Sequence, residues 1–430
     1  MIVLPYRVAL LVLSISGILV STDSYAQTVY VRAGKLIDPA TETISTDRLV
    51  RIDNGRIVAI SPYVPPPKGS VVTDWSAYSV LPGLIDMHTH MVDTEQSSNV
   101  AEPLLHSAAE VALLGAKHAK QTLHAGFTSV RDVGTFRAFG DVAVRDAIDS
   151  GWIEGPRMMV AGAYLTVPGG GGEVTGLAPD VTVPSDMRVG VVSGPAQMTV
   201  KARYLFQHRV NFLKLIATGA VLAAGTEPGA PELTEDEVRA AVDEARRNNS
   251  YATAHAHGAE GIKIALRAGV RSIEHASLID DEGIALAKAK GAWLVMDIYN
   301  GDYINQIGAR DKWPEEILRK NRDTTDLQRE GFTKAVKAGV KIAYGTDAGV
   351  YPHGDNGKQF AYMVRYGMSP MQAIQSATTV AADLMQRSDD VGSVTPGHFG
   401  DLIAVKGDPL KDITVLEHVE HVMKGGLVVR

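Results

Sequence analysis

The sequence predicts an α/β protein in which a barrel of repeated strand–helix units is flanked by a smaller β unit. Three observations carry that expectation. Apolar runs of strand length alternate with helical patterns through the middle of the chain, which argues for βα units and a parallel sheet. Three junctions, His124-Ala-Gly-Phe127, Arg267-Ala-Gly-Val270 and Lys337-Ala-Gly-Val340, are nearly the same words. Each reads as a basic last helical turn, a left-handed glycine and the start of a strand. The two chain ends share a different texture of short alternating segments. At 430 residues the chain exceeds one ordinary domain. A barrel of this kind uses about 250 residues as a single unit, so one large and one small domain fit best. With 45% hydrophobic and 21% charged residues, the composition is that of a globular protein with a sizeable core.

In chain order, Arg7 precedes an apolar run from Val8 to Val20, and Ser24-Tyr-Ala26 supplies small residues where a signal peptidase cuts. Residues 1–26 are therefore read as a signal peptide. The run is shorter than the roughly 20 residues of a spanning helix, so no membrane association is expected after cleavage. A chain without cysteine suits a secreted or periplasmic protein and has no thiolate to offer a metal or a substrate. Residues 27–80 open the small β unit with strands at Thr28–Gly34, Leu49–Ile60 and Ser70–Thr73, the second turning at Asp53-Asn-Gly55. Residues 81–388 form the barrel. Within it, Thr234-Glu-Asp-Glu237 and Ser369-Pro-Met-Gln372 fit helix-starting capping boxes. Two long irregular connections are expected, Ala163 to about Gln207 and Asp297 to about Asp323, each covering a site or a partner. Gly169 to Gly172 lies in the first, reads as a flexible lid, and lacks the Gly-Lys-Ser/Thr that a phosphate loop requires. Residues 389–430 return to the β unit with strands at Asp401–Val405, Asp412–Leu416 and Val419–Val429.

The chemistry-bearing residues fall where strands end and helices have not begun, the rim at which barrel active sites assemble. An apolar strand from Leu81 runs into His88 and His90, whose alternate spacing puts both on one face. Lys214 interrupts the apolar run Asn211–Ile216, His255 and His257 end the next strand, His275 ends another, and Asp347 closes Lys341–Asp347. Histidine nitrogen and carboxylate oxygen are ligands for zinc and similar divalent ions. A lysine buried among apolar residues loses basicity and becomes available as a neutral amine. His257, on the face of His255, either polarises a carbonyl or has a structural role one layer back, and His353 is equally open. His106, His118 and His124 lie on a helical pattern and carry no assigned chemistry.

This ordered set resembles the signature of the amidohydrolase superfamily: His-x-His after the first barrel strand, lysine after the fourth, histidines after the fifth and sixth, aspartate after the eighth. Thr128-Ser-Val-Arg-Asp-Val-Gly134, Gly155-Pro-Arg157, His255-Ala-His-Gly258, Glu274-His275 and Gly345-Thr-Asp-Ala-Gly349 are similar to the imidazolonepropionase-like, Xaa-Pro dipeptidase and ochratoxin-hydrolysing branch. The resemblance implies a (β/α)8 TIM barrel with a small β-sandwich domain built from both chain ends. It also implies two divalent metal ions, zinc foremost. His88, His90 and Asp347 would hold one and His255 and His275 the other, with Lys214 bridging them as N6-carboxylysine. Asp347 would carry the water proton to the leaving amine. Relatives often have a histidine in the glycine-rich stretch; none stands at Gly169 to Gly172 here.

The activity so implied is hydrolysis of the amide bond of a dipeptide or N-acyl amino acid, ochratoxin A among them, by a homo-oligomer acting on a small molecule. The alternative is a cyclic amide, imidazolone or lactone hydrolase. Lys214 speaks against single-metal deamination, and the intact ligand set speaks against a silent scaffold. A net charge of -7 gives no reason to expect a nucleic-acid partner.

Overall fold

The computed structural model describes residues 28–430 apart from Gln96 and Ser98, so the proposed signal peptide lies outside the described residues. The described residues open with four strands, β1 (Thr28–Asp38), β2 (Thr43–Asp53), β3 (Arg56–Pro62) and β4 (Val71–Pro82). Between β2 and β3, Asn54 and Gly55 take φ of 52° and 75°, the left-handed pair a tight hairpin demands. Eight short parallel strands follow and alternate with helices. They are β5 (Leu84–Thr89), β6 (Phe127–Asp132), β7 (Arg157–Val160), β8 (Tyr164–Leu165), β9 (Leu213–Ile216), β10 (Ala252–Gly258), β11 (Ser272–Leu278) and β12 (Trp293–Val295). A ninth, β13 (Lys341–Ala343), completes the set.

Hydrogen bonding divides these strands into two parallel sheets, β5-β6-β7 and β8 through β13 in order, rather than one continuous ladder. The break after β7 has a local cause. The chain turns at Ala161-Gly162-Ala163, and Asn211 spans the gap with its side chain, its Oδ1 accepting from Val160 N at 2.9 Å. At the other edge, Met87 N donates to Tyr344 O at 2.9 Å and His90 N to Ala348 O at 2.8 Å, drawing β5 against the segment after β13. The arrangement is TIM-barrel-like, with strands at the centre and helices outside.

The outer helices include α1 (Ala108–His124), α2 (Gly140–Asp149), α3 (Pro195–Gln207), α4 (Glu235–Arg247), α5 (Ala259–Ala268) and α6 (Asp281–Lys290). The three repeated junctions turn at Gly126, Gly269 and Gly339 with φ of 99°, 97° and 70°, as their sequence requires. Both expected capping boxes form, at Thr234/Glu237 and Ser369/Gln372.

Three expectations need correction. The first long connection ends in a helix, α3. The second is mostly helical, α7 (Asn300–Asp311) running into α8 (Glu315–Ala338). Gly301 and Gly308 depress helix propensity there, yet they let the two helices meet. A Cβ at Gly308 would lie 2.5 Å from Leu318 and 3.5 Å from Trp313. Finally, the expected strand at 412–416 is a 3-10 turn, Ile413–Glu417, started by the Asp412 side chain accepting from Thr414 N at 3.0 Å. Ile413 and Leu416, three apart, are its buried residues, a spacing that suits one helical turn.

The last strands, β14 (Leu402–Val405), β15 (Val419–Lys424) and β16 (Leu427–Val428), return to the first four. Instead of two separate facing sheets, the ladders record one seven-stranded sheet in the order β16-β15-β14-β4-β1-β2-β3. Val31, Val50, Trp75 and Leu402 form part of its core. Arg157, opening β7, clamps this sheet to the barrel. Its guanidinium donates twice to Asp401, at 3.0 and 3.1 Å, and lies 3.6 Å over the Phe399 ring. Asp401 also accepts from Gly425 N at 2.6 Å. Asp401→Asn is expected to cost about 2 kcal/mol by weakening charge-assisted bonds to a half-buried arginine. Thermal and urea unfolding check this: a lowered midpoint with unchanged metal content is expected, and an unchanged midpoint would mean the clamp contributes little.

Candidate metal centre

Every residue singled out as a ligand reaches one cavity of about 200 Å³ at the C-terminal ends of the parallel strands. His88 and His90 come from the end of β5, Lys214 from β9, His255 and His257 from β10, His275 from β11 and Asp347 from the turn after β13. Three donor groups form there: His88, His90 and Asp347; His255, His257 and His275; and His275, Asp297 and Asp347. Within each group the donor atoms lie within 4.8 Å of one another. His257 thus joins His255 and His275, and its ring is stacked on that of His275 at 4.8 Å.

Hydrogen bonds on the far side of each ring decide which nitrogen faces the cavity. His88 Nδ1 pairs with Glu274 Oε2 at 2.9 Å, and His275 Nδ1 with Asp297 Oδ1 at 3.0 Å. His90 Nδ1 meets the Gly134 carbonyl at 2.9 Å and the Tyr164 hydroxyl at 3.0 Å. That leaves the Nε2 atoms of His88 and His90 near Asp347 Oδ1, at 3.3 and 3.1 Å. His255 is turned the other way, its Nε2 being 3.3 Å from Gly219 O, which leaves Nδ1 free. Behind His88, Glu274 Oε1 takes the Arg131 guanidinium at 2.7 Å, and both side chains have no exposure. Asn300 Nδ2 reaches Asp297 Oδ2 at 2.7 Å and Asp347 Oδ2 at 3.2 Å, so one amide ties two carboxylates together.

The donor chemistry fits divalent cations. His88 Nε2 is buried and has no hydrogen bond in the described structure. Burial, helped by neighbouring cationic groups, holds His255 well below the ordinary imidazole range and pulls His257 down to about 3, so both stay neutral, which a metal ligand such as His255 must be. Burial alone would raise Asp347, but His88, His90 and His275 hold it well below the usual carboxylate range. Lys214 is 1% exposed, and desolvation lowers it to about 8 despite the attraction of Glu274 and Asp347. Two candidate ligands are also strained. His275 and Asp347 have φ of 68° and 57°, a left-handed conformation costly for such side chains.

His353 stands behind the site rather than in it. Its Nε2 meets His90 O at 3.2 Å, its Nδ1 meets Thr122 Oγ1 at 3.1 Å, and its ring stacks on His118 at 4.3 Å. Gly171 and Gly172 line the cavity wall, and Gly171 N donates to Glu232. Sequence reasoning assigned no role to Arg131, Asp297, Asn300, Gln328 or Tyr164. Glu274 and Arg131 stood inside quoted motifs, whereas Asn300 and Gln328 carried no local signal.

Three comparisons bear on this centre. The profile described as Amidohydrolase family matches residues 79–429. An ochratoxinase from Aspergillus niger is 29% identical over 439 residues, covering 95% of this chain and 88% of that protein. Among solved structures, a Xaa-Pro dipeptidase with methionine bound in its active site is 37% identical with a TM-score of 0.88, covering 94% of this chain and 100% of its own. A prolidase complexed with N-methylphosphonate-L-proline is 28% identical with a TM-score of 0.87 at the same coverage.

Glu274→Gln removes the charge that orients His88 and leaves Arg131 unpaired. Metal affinity is expected to fall by about 10- to 100-fold, read by competition with a chromophoric chelator. A lowered melting temperature with unchanged affinity would assign Glu274 to the fold alone.

Proposed function

The chain belongs to the amidohydrolase family, and from that premise we propose a binuclear metal-dependent hydrolase that cleaves the amide bond of a dipeptide or N-acyl amino acid, releasing a C-terminal amino acid. Ochratoxin A, a phenylalanine amide, falls in that class, and the likeness to ochratoxinase supports including it. The observation that carries the reading is the convergence of two His/carboxylate donor sets and a buried lysine on one cavity.

In this reading His88, His90 and Asp347 hold one ion, His255 and His275 hold the other, and zinc is the ion. Such ions, when bound, supply Lewis acidity that polarises an amide carbonyl and acidifies water. Lys214, lowered to about 8 by burial, is partly neutral near physiological pH. Its amine could attack carbon dioxide, the N–C bond forming as one C=O π pair moves onto oxygen and the nitrogen proton passes to solvent, and the resulting carbamate would offer oxygen ligands to the ions. Asp347, fixed through Oδ2 by Asn300, accepts the proton of the attacking water and returns it to the leaving nitrogen. His257 Nδ1 pairs with the Ser277 hydroxyl at 2.8 Å, and in the tautomer in which Nδ1 accepts that hydroxyl, Nε2 carries the proton. That N–H is available to the carbonyl oxygen as charge develops on it. Val100, Ile216, Val221 and Ile304 give the cavity an apolar wall for a substrate side chain.

The same reading takes the two parallel sheets as one closed (β/α)8 barrel and the seven-stranded sheet as a folded-over sandwich. Residues 1–26 are removed on export to the periplasm or medium, and the mature chain is a homo-oligomer.

A panel of dipeptides, N-acyl amino acids and ochratoxin A, given to mature protein prepared with zinc and bicarbonate, tests the proposal. Free amino acid should appear, with about two metals per chain, and a chelator should abolish turnover. Asp347→Asn should lower kcat by about 10²- to 10⁴-fold, the usual worth of a proton-transfer group. Lys214→Ala should lose metal as well as activity, and ¹³C-bicarbonate should give a carbamate resonance absent from that variant. Two bound metals with no turnover on the panel would overturn the substrate class and point to cyclic amides and lactones.

A further inference from the structure

The cavity is lined by six carboxylates, those of Asp93, Glu95, Glu102, Glu173, Asp297 and Asp347. Apart from histidines, its only cationic side chains among the described residues are Lys214 and Arg137. Away from the two proposed ions, a substrate carboxylate meets Asp93, Glu95, Glu102 and Glu173 and is repelled unless a cation receives it there, and Lys214 is committed to the centre. Arg137 is placed otherwise. It follows Phe136, whose ring meets Tyr164 edge-on at 5.4 Å, and the Tyr164 hydroxyl is the one on His90. Its guanidinium is fixed at two of its three nitrogens: Nε donates to His106 O and Nη1 to Asp186 Oδ2, both at 2.8 Å. The arginine side chain is 13% exposed and the Asp186 side chain 39%. Nη2 has no acceptor among the described residues. A guanidinium held through Nε and Nη1, with the Nη2 donors to spare on a cavity wall, is preorganised for a carboxylate at little entropic cost.

We infer that Arg137 is the anchor for the substrate carboxylate, so that the enzyme selects amides carrying a free carboxylate over their neutral counterparts. The inference rests on the amide-hydrolase reading above. The competing explanation is that Arg137 only pins the loop after β6 through its part-buried ion pair with Asp186.

The test compares N-benzoyl amino acids with the matching C-terminal carboxamides in the wild type, Arg137→Met, Arg137→Lys and Asp186→Asn. For the carboxylate substrates, Arg137→Met should raise KM by about 10- to 100-fold, the worth of a charge-assisted hydrogen bond. Its kcat should change little, its carboxamide kinetics should be unaltered, and Arg137→Lys should recover part of the loss. Asp186→Asn breaks the same ion pair while keeping the guanidinium, so it should leave KM for carboxylates unchanged or lower. Equal losses in Arg137→Met and Asp186→Asn, or equal losses on both substrate series, would overturn the anchor and leave the hydrolase reading standing. If the wild type turns over neither series, the hydrolase reading fails, and calorimetric binding of the same compounds decides the anchor. Binding of the carboxylate alone, lost in Arg137→Met, supports it; binding indifferent to the carboxylate overturns it.

Discussion

Glu274 has no exposure, with one oxygen 2.7 Å from Arg131 and the other 2.9 Å from His88, so the orientation of a candidate metal ligand hangs on an ion pair at the barrel centre. Removing two charges from water is expensive, and an apolar pair of similar volume often serves a fold as well or better. The cost is contained here because the remaining acceptor capacity is used. Ser272 Oγ donates to Glu274 at 2.8 Å, Thr253 Oγ1 donates to the same oxygen, and Arg131 Nε donates to Met87 O at 2.7 Å. What an apolar replacement could not do is hold Nδ1 of His88 and leave Nε2 facing the cavity. The pair makes sense as a device for the site, seated in the one place from which it touches β5, β6 and β11 together.

Backbone strain follows the same logic. His275, Ala276 and Asp347 hold left-handed conformations, each worth of order 1–3 kcal/mol. The surroundings oppose relaxation. Asp347 N is bonded to His88 O at 2.8 Å, and Gln328 Nε2 holds both His275 O, at 3.1 Å, and Asp297 Oδ1, at 3.0 Å. The long α8 helix therefore acts as a strut for the ligands, although no residue of it was a candidate for the chemistry.

The readable parts of this chain were those set by short-range rules. Strand-end histidines, the glycines after the repeated junctions and the capping boxes are local chemistry, and they appear where their spacing puts them. What escaped was decided by tertiary partners. The stretch from Asp297 to about Asp323 read as irregular, but Gly301 and Gly308 pack against Thr325 and Leu318 of the next helix, partners that sequence spacing does not show. Asp412–Leu416 alternated like a strand, but the aspartate side chain claimed the next turn. The candidate ligand residues were legible one by one, whereas Asn300, Gln328 and Arg137 are placed by contacts made across the barrel, for which a single sequence holds no pattern. The glycine-rich stretch read as a lid is a wall of the cavity, bonded to Glu232.

The seven-stranded sheet also bears on how the chain comes to be folded. β4 pairs with β14 in a register that sets Pro82 against Leu402, some three hundred residues later. During synthesis the N-terminal strands can form their own hairpins early, yet one flank of β4 stays open until the last strands emerge, and an open strand edge invites pairing with other chains. The barrel lies wholly between those two partners. Pairing β4 with β14 is therefore a late event, and a product lacking β14 would leave a bare edge beside Pro82.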